Sequence, residues 1–344
     1  MSRQTLYIHI GYHKTGTTSL QSFLGENRSG LAKSGICYPE TSGDGTRDYF
    51  HKHLYFFNRI MAAHRSGNNV DHQMDPLINE IVKSGLPKAI ISEESFSGLP
   101  GSIVKIFRKF SETFDVKIVA VVRRQDEFIN SFYQQSIKDF GETLDFIPFL
   151  KSKNWQRLYY DKALGIWADC FGIENLRVIS YSHKGQSGSL MSEILLPIFQ
   201  GSSASGLIKD RRRHRSLPAI CYEALRICNQ SGMQGPDLAL LKEAMRKSAN
   251  RFGAEIRTAF PGLLDKEFTS PQSAQAILSE FRSSNLTLAQ DYFGGADPFP
   301  DLSSSDIPEN MQTIADLGDE SAFQPKEVIA FLAFALAKMS QANK

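Results

Sequence analysis

The sequence predicts an α/β protein in which a parallel sheet is flanked by helices and followed by additional C-terminal helices. Two observations predict this fold class. Over the first 200 residues, short β-branched runs alternate with helical patterns, and that alternation is typical of parallel βαβ units. From about residue 190 onward the patterns are helical only. We therefore expect an α/β core over residues 1–200, with residues 201–344 forming a mainly helical extension packed on it as part of the same domain.

The elements can be assigned in chain order. Apolar runs of strand length predict strands at Thr5–Ile10, Ala89–Ser92, Val116–Val122 and Leu176–Ser180. Helical spacing of apolar residues predicts core helices at Thr17–Leu24, Pro76–Ser84, Ser102–Phe114, Gln125–Phe140 and Trp155–Phe171. The extension is predicted to hold helices at 217–230, 236–252, 271–292 and 328–337.

Two segments have a less regular pattern. Residues 38–75 are rich in histidine and aromatic residues, and we interpret them as a loop-rich substrate region or an irregular cover. The terminal helix at 328–337 is apolar on all sides, which favours either a buried helix or a contact in a homodimer, with membrane association as a lesser alternative.

Composition and charge narrow the function classes. Apolar residues make up 41% and charged residues 22%, which excludes a disordered or coiled-coil chain. A net charge of +2 is too small for the protein as a whole to attract nucleic acid electrostatically. Four cysteines without CxxC spacing predict neither a disulfide scaffold nor a structural zinc site. The most apolar window spans ten residues, against about 20 for a membrane span, and no secretory leader is evident. We therefore expect a cytoplasmic protein without stable membrane insertion.

The first chemical motif follows the first predicted strand. Residues 11–20 read GYHKTGTTSL, with two glycines, a lysine and three threonines before a helix. A strand–loop–helix turn of this kind binds anions, because the first N–H groups of the helix are unpaired and carry the positive end of its dipole. The candidate binding residues are His13, Lys14, Thr15, Gly16, Thr17 and Thr18. A Walker A loop needs lysine directly after the second glycine, and this chain has Thr17 there, so ATP hydrolysis is a poorer interpretation.

This motif resembles the 5′-phosphosulfate loop of sulfotransferases, which use 3′-phosphoadenylyl sulfate (PAPS) as donor and release 3′,5′-bisphosphoadenosine (PAP). His13 stands where that family usually has proline, a departure seen in bacterial members. The resemblance implies a P-loop-like α/β fold, a role for Lys14 at the bridging oxygen of the donor, and no metal. It spans about residues 5–295, although only two of its motifs are specific.

The second motif supports the same resemblance. Arg123 follows the predicted strand Val116–Val122, and Ser131 comes eight residues later on the next predicted helix. In the family, an arginine and a serine at this spacing bind the 3′-phosphate of the nucleotide. The resemblance also implies that Tyr181 contacts the adenine, although it equally fits a packing aromatic. A late basic loop, here including Arg213, would help hold the 3′-phosphate, although a solvated charge run fits it as well.

The candidates for the catalytic base include two carboxylates at the end of another predicted strand. Glu93 and Glu94 follow the strand Ala89–Ser92 directly. Side chains of an extended segment alternate in direction, so we expect one of the two to face the acceptor, and we favour Glu94. His53 is the alternative base, since a neutral imidazole suits proton transfer near pH 7.

The function predicted from the sequence is sulfuryl transfer to an acceptor hydroxyl. The resemblance implies a carbohydrate or glycolipid acceptor, and the net charge of +2 argues against a nucleic-acid partner. Two rival interpretations stay open. One is a nucleotide-dependent kinase or NTPase with a divergent phosphate loop, and the other is a non-catalytic protein that binds a nucleotide or a glycan.

Overall fold

The computed structural model describes most of the chain. The described residues are 3–12, 17–40, 52–181, 193–195, 198–199, 217–233, 235–299, 313–319 and 321–342. Five of the predicted site residues lie outside them: His13, Lys14, Thr15, Gly16 and Arg213.

The described strands form one five-stranded parallel sheet, as the alternating pattern predicted. The strands are β1 Thr5–His9, β2 Ile36–Cys37, β3 Lys88–Ser92, β4 Asp115–Arg123 and β5 Leu176–Tyr181. Their order across the sheet is β2-β3-β1-β4-β5, and every pairing is parallel. All four predicted strands are confirmed to within two residues at either end. β2 was not predicted, because two residues are too few to show a period.

The register of the sheet brings the chemical residues to one edge. His9 at the end of β1 lies beside Ser92 at the end of β3, and Arg123 at the end of β4 lies beside Tyr181 at the end of β5. Parallel strands all end at the same edge, so residues far apart in sequence meet there without any long connection.

Helices flank the sheet and make up most of the other described residues. The α-helices are α1 Thr17–Glu26, α2 Arg28–Lys33, α3 Leu54–Arg65, α4 Asp71–Ser84, α5 Gly101–Ile106, α6 Phe110–Thr113, α7 Gln125–Phe140, α8 Phe146–Ser152, α9 Tyr160–Phe171, α10 Ala219–Gln230, α11 Gly235–Ala259, α12 Pro271–Tyr292 and α13 Pro325–Ala342. Short 3₁₀ turns lie at Glu94–Gly98, Phe107–Lys109, Gln156–Leu158, Ile173–Asn175, Leu263–Asp265 and Ile314–Asp316. The described helices do not include one with both the length and the hydropathy of a membrane span.

The interpretation of residues 38–75 as loop-rich is wrong for much of that segment. It contains α3 and the start of α4, while residues 41–51 lie outside the described part. Helix α3 buries Phe56, Ile60 and Ala63 on one face, a helical spacing that the polar and aromatic residues between them obscured. Helix α4 begins at Asp71 and continues through Pro76, whereas the sequence placed its start at the proline. Pro76 is the sixth residue of α4, beyond the first turn, so it has no N–H to donate to the carbonyl of His72, and α4 forms despite that lost hydrogen bond.

The terminal helix α13 is also less buried than its composition indicated. Val328, Phe331 and Ala335 are buried, whereas Ile329 and Leu336 are 67% and 61% exposed. The apolar residues therefore cover two faces of the helix, and only one of them is packed.

The chain divides into two compact units, each discontinuous in sequence. The first comprises Met1–Arg124, Trp155–Arg213 and Ser283–Ser303, and the second comprises Gln125–Asn154, His214–Arg282 and Ser304–Lys344. The first unit holds the whole sheet. The second is helical in its described residues, with Tyr133 packed against Phe146, Phe149 and Phe268. The single domain with a boundary near residue 200 stays a prediction.

Candidate active site

The carboxyl edge of the sheet is where this topology favours a ligand. Open α/β sheets bind ligands outside the carboxyl ends of strands whose connections leave in opposite directions. After β1 the chain continues to β2, which lies on the same side of β1 as β3. After β4 it continues to β5, at the opposite side of the sheet. The neighbouring ends of β1 and β4 therefore mark the expected crevice, within the first unit.

The end of β1 leads into α1, whose first residue is Thr17. Thr17 is buried, and its Oγ1 donates a hydrogen bond of 2.6 Å to Oε2 of Glu94. Thr18 is exposed at the same helix start. The two threonines thus differ: Thr17 contacts a carboxylate beside the helix N-terminus, and Thr18 is exposed to solvent.

Glu94 and Glu93 have separate environments, because Glu93 is extended and Glu94 begins the 3₁₀ turn Glu94–Gly98. Besides Thr17, Glu94 lies 3.8 Å from Nζ of Lys52, and its side chain is 13% exposed. Glu93 is fully buried, and its Oε1 accepts hydrogen bonds from the N–H and the hydroxyl of Ser95. Burial raises the pKa of Glu93. Glu93 caps a 3₁₀ turn, whereas Glu94 contacts the first residue of α1.

His53 is buried beneath the same edge. Its Nδ1 lies 3.1 Å from the backbone N of Ser92, which donates to it, and its ring packs edge-on against Tyr38 with centroids 5.0 Å apart. Burial lowers its pKa to about 4, so the imidazole is neutral at pH 7. The same Nδ1 lies 3.3 Å from the Ser92 carbonyl oxygen. The role of His53 as the alternative base stays a prediction.

His9 is a residue of this edge that the sequence reasoning did not select. It is fully buried at the end of β1, and its Nδ1 lies 2.8 Å from Oγ of Ser92. Ser92 Oγ also accepts a hydrogen bond of 3.3 Å from Nε2 of Gln21 on α1. His9 could have been selected from the sequence because it is a histidine inside an otherwise apolar strand, directly before the loop of the first motif. A charged or polar group in a buried strand needs partners or a function.

Gly11 is required at its position by the space around it. A Cβ built on Gly11 would lie 2.6 Å from Nε2 of His9 and 2.8 Å from Cγ2 of Thr17. Among the described residues, it is the His9 ring and the Thr17 methyl group that come closest to Gly11.

The end of β4 holds a second group of site residues. Arg123 is buried, and its guanidinium carbon lies 5.1 Å from the centroid of the Tyr181 ring. The carbonyl of Arg123 accepts a hydrogen bond of 2.5 Å from the hydroxyl of Tyr160. The strand end is therefore fixed through its backbone, and the guanidinium stacks on an aromatic face. Tyr181 serves here as the packing partner of Arg123.

Ser131 lies on α7 in the second unit, where it is half-buried. Its role beside Arg123 stays a prediction from the spacing. Arg157 of the first unit was not selected from the sequence. Burial lowers its pKa, and the nearby Tyr12 and Tyr160 act in the opposite direction. Among the described residues, no group of three or more histidine, cysteine or carboxylate side chains is arranged to hold a metal ion.

Comparisons with known proteins add little to this geometry. No protein-family model matches the chain, and no curated protein matches it. Among solved structures, the chain is similar to the crystal structure of a sulfotransferase from Alicyclobacillus acidocaldarius, with a TM-score of 0.39 and 14% sequence identity. The match covers 70% of this chain and 100% of that chain. At that score and identity, no residue role is carried from that protein to this chain.

Proposed function

We propose that this protein is a sulfotransferase that moves a sulfuryl group from PAPS to an acceptor hydroxyl. The observation that carries the proposal is the 2.6 Å hydrogen bond from Thr17 to Glu94. It joins the start of α1, where the loop motif would hold an anionic donor, to a carboxylate able to take the acceptor's proton. The supporting sequence pattern is the order of lysine, glycine and paired threonines over residues 14–18.

The reaction makes one bond and breaks one bond at sulfur. The acceptor oxygen forms the new bond to sulfur, while the bond from sulfur to the 5′-phosphate oxygen breaks and PAP leaves. The hydroxyl proton passes to Glu94. A carboxylate next to the bound donor acts as a general base, which contributes about 10²–10⁴-fold to rate. The helix N-terminus and Lys14 would stabilise the charge that develops on the leaving phosphate.

The 3′-phosphate of the donor is assigned to Arg123. A guanidinium binds phosphate with two parallel N–H groups, and stacking on Tyr181 at 5.1 Å would hold its plane in one orientation. Ser131, Arg213, His13, Thr15 and Gly16 enter the proposal on their sequence pattern alone. The acceptor is assigned to the carbohydrate class because Glu94 is the kind of base that carbohydrate sulfotransferases place after this strand.

Thermal unfolding with PAP, compared with ATP and magnesium, tests the donor. A ligand at 100 times its Kd stabilises the folded protein by about 2.7 kcal/mol. We expect PAP to raise the melting temperature and ATP–magnesium to leave it unchanged. The reverse result would establish the kinase interpretation instead.

The base is tested by Glu94→Gln, with Glu112→Gln as a matched control at an exposed position. The readout is release of PAP from PAPS in the presence of a panel of sugars. We expect Glu94→Gln to lower kcat about a hundredfold or more with little change in PAP affinity, and Glu112→Gln to behave as the unmodified protein. PAP binding without transfer to any acceptor would support the non-catalytic binding protein.

A further inference from the structure

We propose that Lys52 is a positioning residue of the candidate active site: its ammonium group keeps the Glu94 carboxylate ionised and so extends sulfuryl transfer to lower pH. The choice of Glu94 as the base, and with it the link to activity, rests on the proposed function. The ion pair is a feature of the structure itself, since Nζ of Lys52 lies 3.8 Å from Oε1 of Glu94.

The backbone next to Lys52 is fixed to the end of β3. The N–H group of the following residue, His53, donates a hydrogen bond of 3.1 Å to the carbonyl of Ser92. Glu94 follows Ser92 by two residues, and α3 begins at Leu54. Main-chain hydrogen bonding therefore places Lys52 beside Glu94, and the contact does not depend on a flexible side chain alone.

The two carboxylate oxygens of Glu94 have different neighbours. Oε2 accepts the hydrogen bond from Thr17, whereas Oε1 is the oxygen paired with Lys52. A separation of 3.8 Å is longer than a hydrogen bond, so Lys52 acts on Oε1 through its charge. The side chains of Lys52 and Glu94 are 30% and 13% exposed, and this shielding from water strengthens their attraction. An opposite charge at such a distance favours the ionised form of a carboxyl group.

Two other titratable residues, Glu93 and His9, also interact with Glu94. Burial raises the pKa of Glu93, the charge of Glu94 raises it further, and the charge of Lys52 lowers it. Burial lowers the pKa of His9 to about 4, against the effect of Glu94, so the imidazole is neutral at pH 7. Of these three neighbours of Glu94, Lys52 is therefore the one that carries a positive charge near pH 7.

Substitutions at residue 52 separate its charge from its bulk. Lys52→Gln removes the positive charge at similar length, and Lys52→Arg retains it. Lys52→Met is a second neutral variant, used where Lys52→Gln does not fold. Lys109→Gln is the matched control, because it removes a partly buried lysine that pairs with a different carboxylate, Asp75, in the same unit. Urea unfolding and calorimetric titration with PAP establish that each variant folds and binds the nucleotide.

The first measurement is the pH dependence of kcat with PAPS and an acceptor from the sugar panel. A base acts only when deprotonated, so kcat falls as the pH decreases through the pKa of the base in the complex. We expect the neutral variants to move this fall to higher pH by about one unit, the lower end of the range for a neighbouring charge, since Lys52 is partly exposed. Lys52→Arg retains the charge and should stay within about 0.3 unit of the unmodified protein, as should Lys109→Gln. An unmoved profile in the neutral variants, or an equal movement in Lys109→Gln, overturns the inference.

The second measurement needs no acceptor. The side-chain carboxyl ¹³C resonance of Glu94, assigned by its loss in Glu94→Gln, is followed against pH in the unmodified protein and in the Lys52 variants. We expect its midpoint to be about one unit higher in the neutral variants and unchanged in Lys52→Arg. Equal midpoints overturn the inference and leave the proposed function intact. A higher midpoint in a protein that does not bind PAP supports the effect of Lys52 on Glu94 and overturns the proposed function.

Discussion

The two buried histidines predict a specific dependence of stability on pH. His9 and His53 each have a pKa lowered from 6.5 to about 4 by burial. Below pH 6.5 the unfolded chain binds a proton at each histidine, whereas the folded protein does not do so until about pH 4. The free energy of unfolding therefore falls as the pH decreases across this window.

The size of the effect follows from the two pKa values. Within the window, each histidine contributes about 1.4 kcal/mol of lost stability per pH unit. Over the 2.5 units from 6.5 to 4, this amounts to about 3 kcal/mol for each histidine. Glu93 acts in the opposite direction, since its raised pKa makes its own contribution fall as the pH rises. Comparing variants that all contain Glu93 isolates the histidine contribution.

The assay is urea unfolding at pH 7.5, 6.5, 5.5 and 5.0, followed by tryptophan fluorescence. Both tryptophans, Trp155 and Trp167, lie in the unit that also holds the histidines. We expect His9→Asn and His53→Asn each to lower the slope by about 1.4 kcal/mol per pH unit. The exposed His64 provides the control, and His64→Asn should leave the slope unchanged. Slopes in the buried-site variants within about 0.5 kcal/mol per unit of the unmodified protein would refute the reasoning.

Two further substitutions test the contacts of the loop–helix junction. A double-mutant cycle of Thr17→Val and Glu94→Ala, measured by urea unfolding, should give a coupling energy of about 1.5 kcal/mol or more; a value below about 0.5 kcal/mol would show that their hydrogen bond does not contribute. Gly11→Ala should destabilise the fold by about 1–3 kcal/mol because its methyl group overlaps His9 and Thr17. Gly165→Ala, where nothing lies within 4 Å of the new methyl group, is the control and should be neutral or slightly stabilising, and an equal effect of both changes would contradict the packing argument.

The fold class was predictable because the sheet is built from strong local signals. Apart from Lys117, the run Val116–Val122 is apolar, as expected of a strand covered on both faces, and α7 and α12 have the predicted bounds because their apolar spacing is regular. The strand β2 and helix α3 escaped prediction for different reasons. β2 has only two residues, too few to show a period. In α3 the aromatic and polar residues between Phe56, Ile60 and Ala63 obscure the helical spacing, which tertiary packing reveals.

The candidate site was predicted only in part. The sequence identified the loop after β1, the arginine after β4 and the pair of glutamates after β3. It did not select His9, because a single histidine in a strand is indistinguishable from a packed one until its neighbours are known. It also kept His53 as an alternative base, and only the structure shows that this imidazole is buried against the Ser92 backbone.

The sequence by itself determined the order of the four longer strands and the residue types that end them, because these depend on local period and on side-chain chemistry. The tertiary structure alone decided which of those ends are neighbours. It brought residue 9 beside residue 92 and residue 17 to residue 94, contacts that depend on parallel pairing and burial. The same burial set the protonation of the two histidines, since the cost of a charge without water is a property of the folded state and not of the chain.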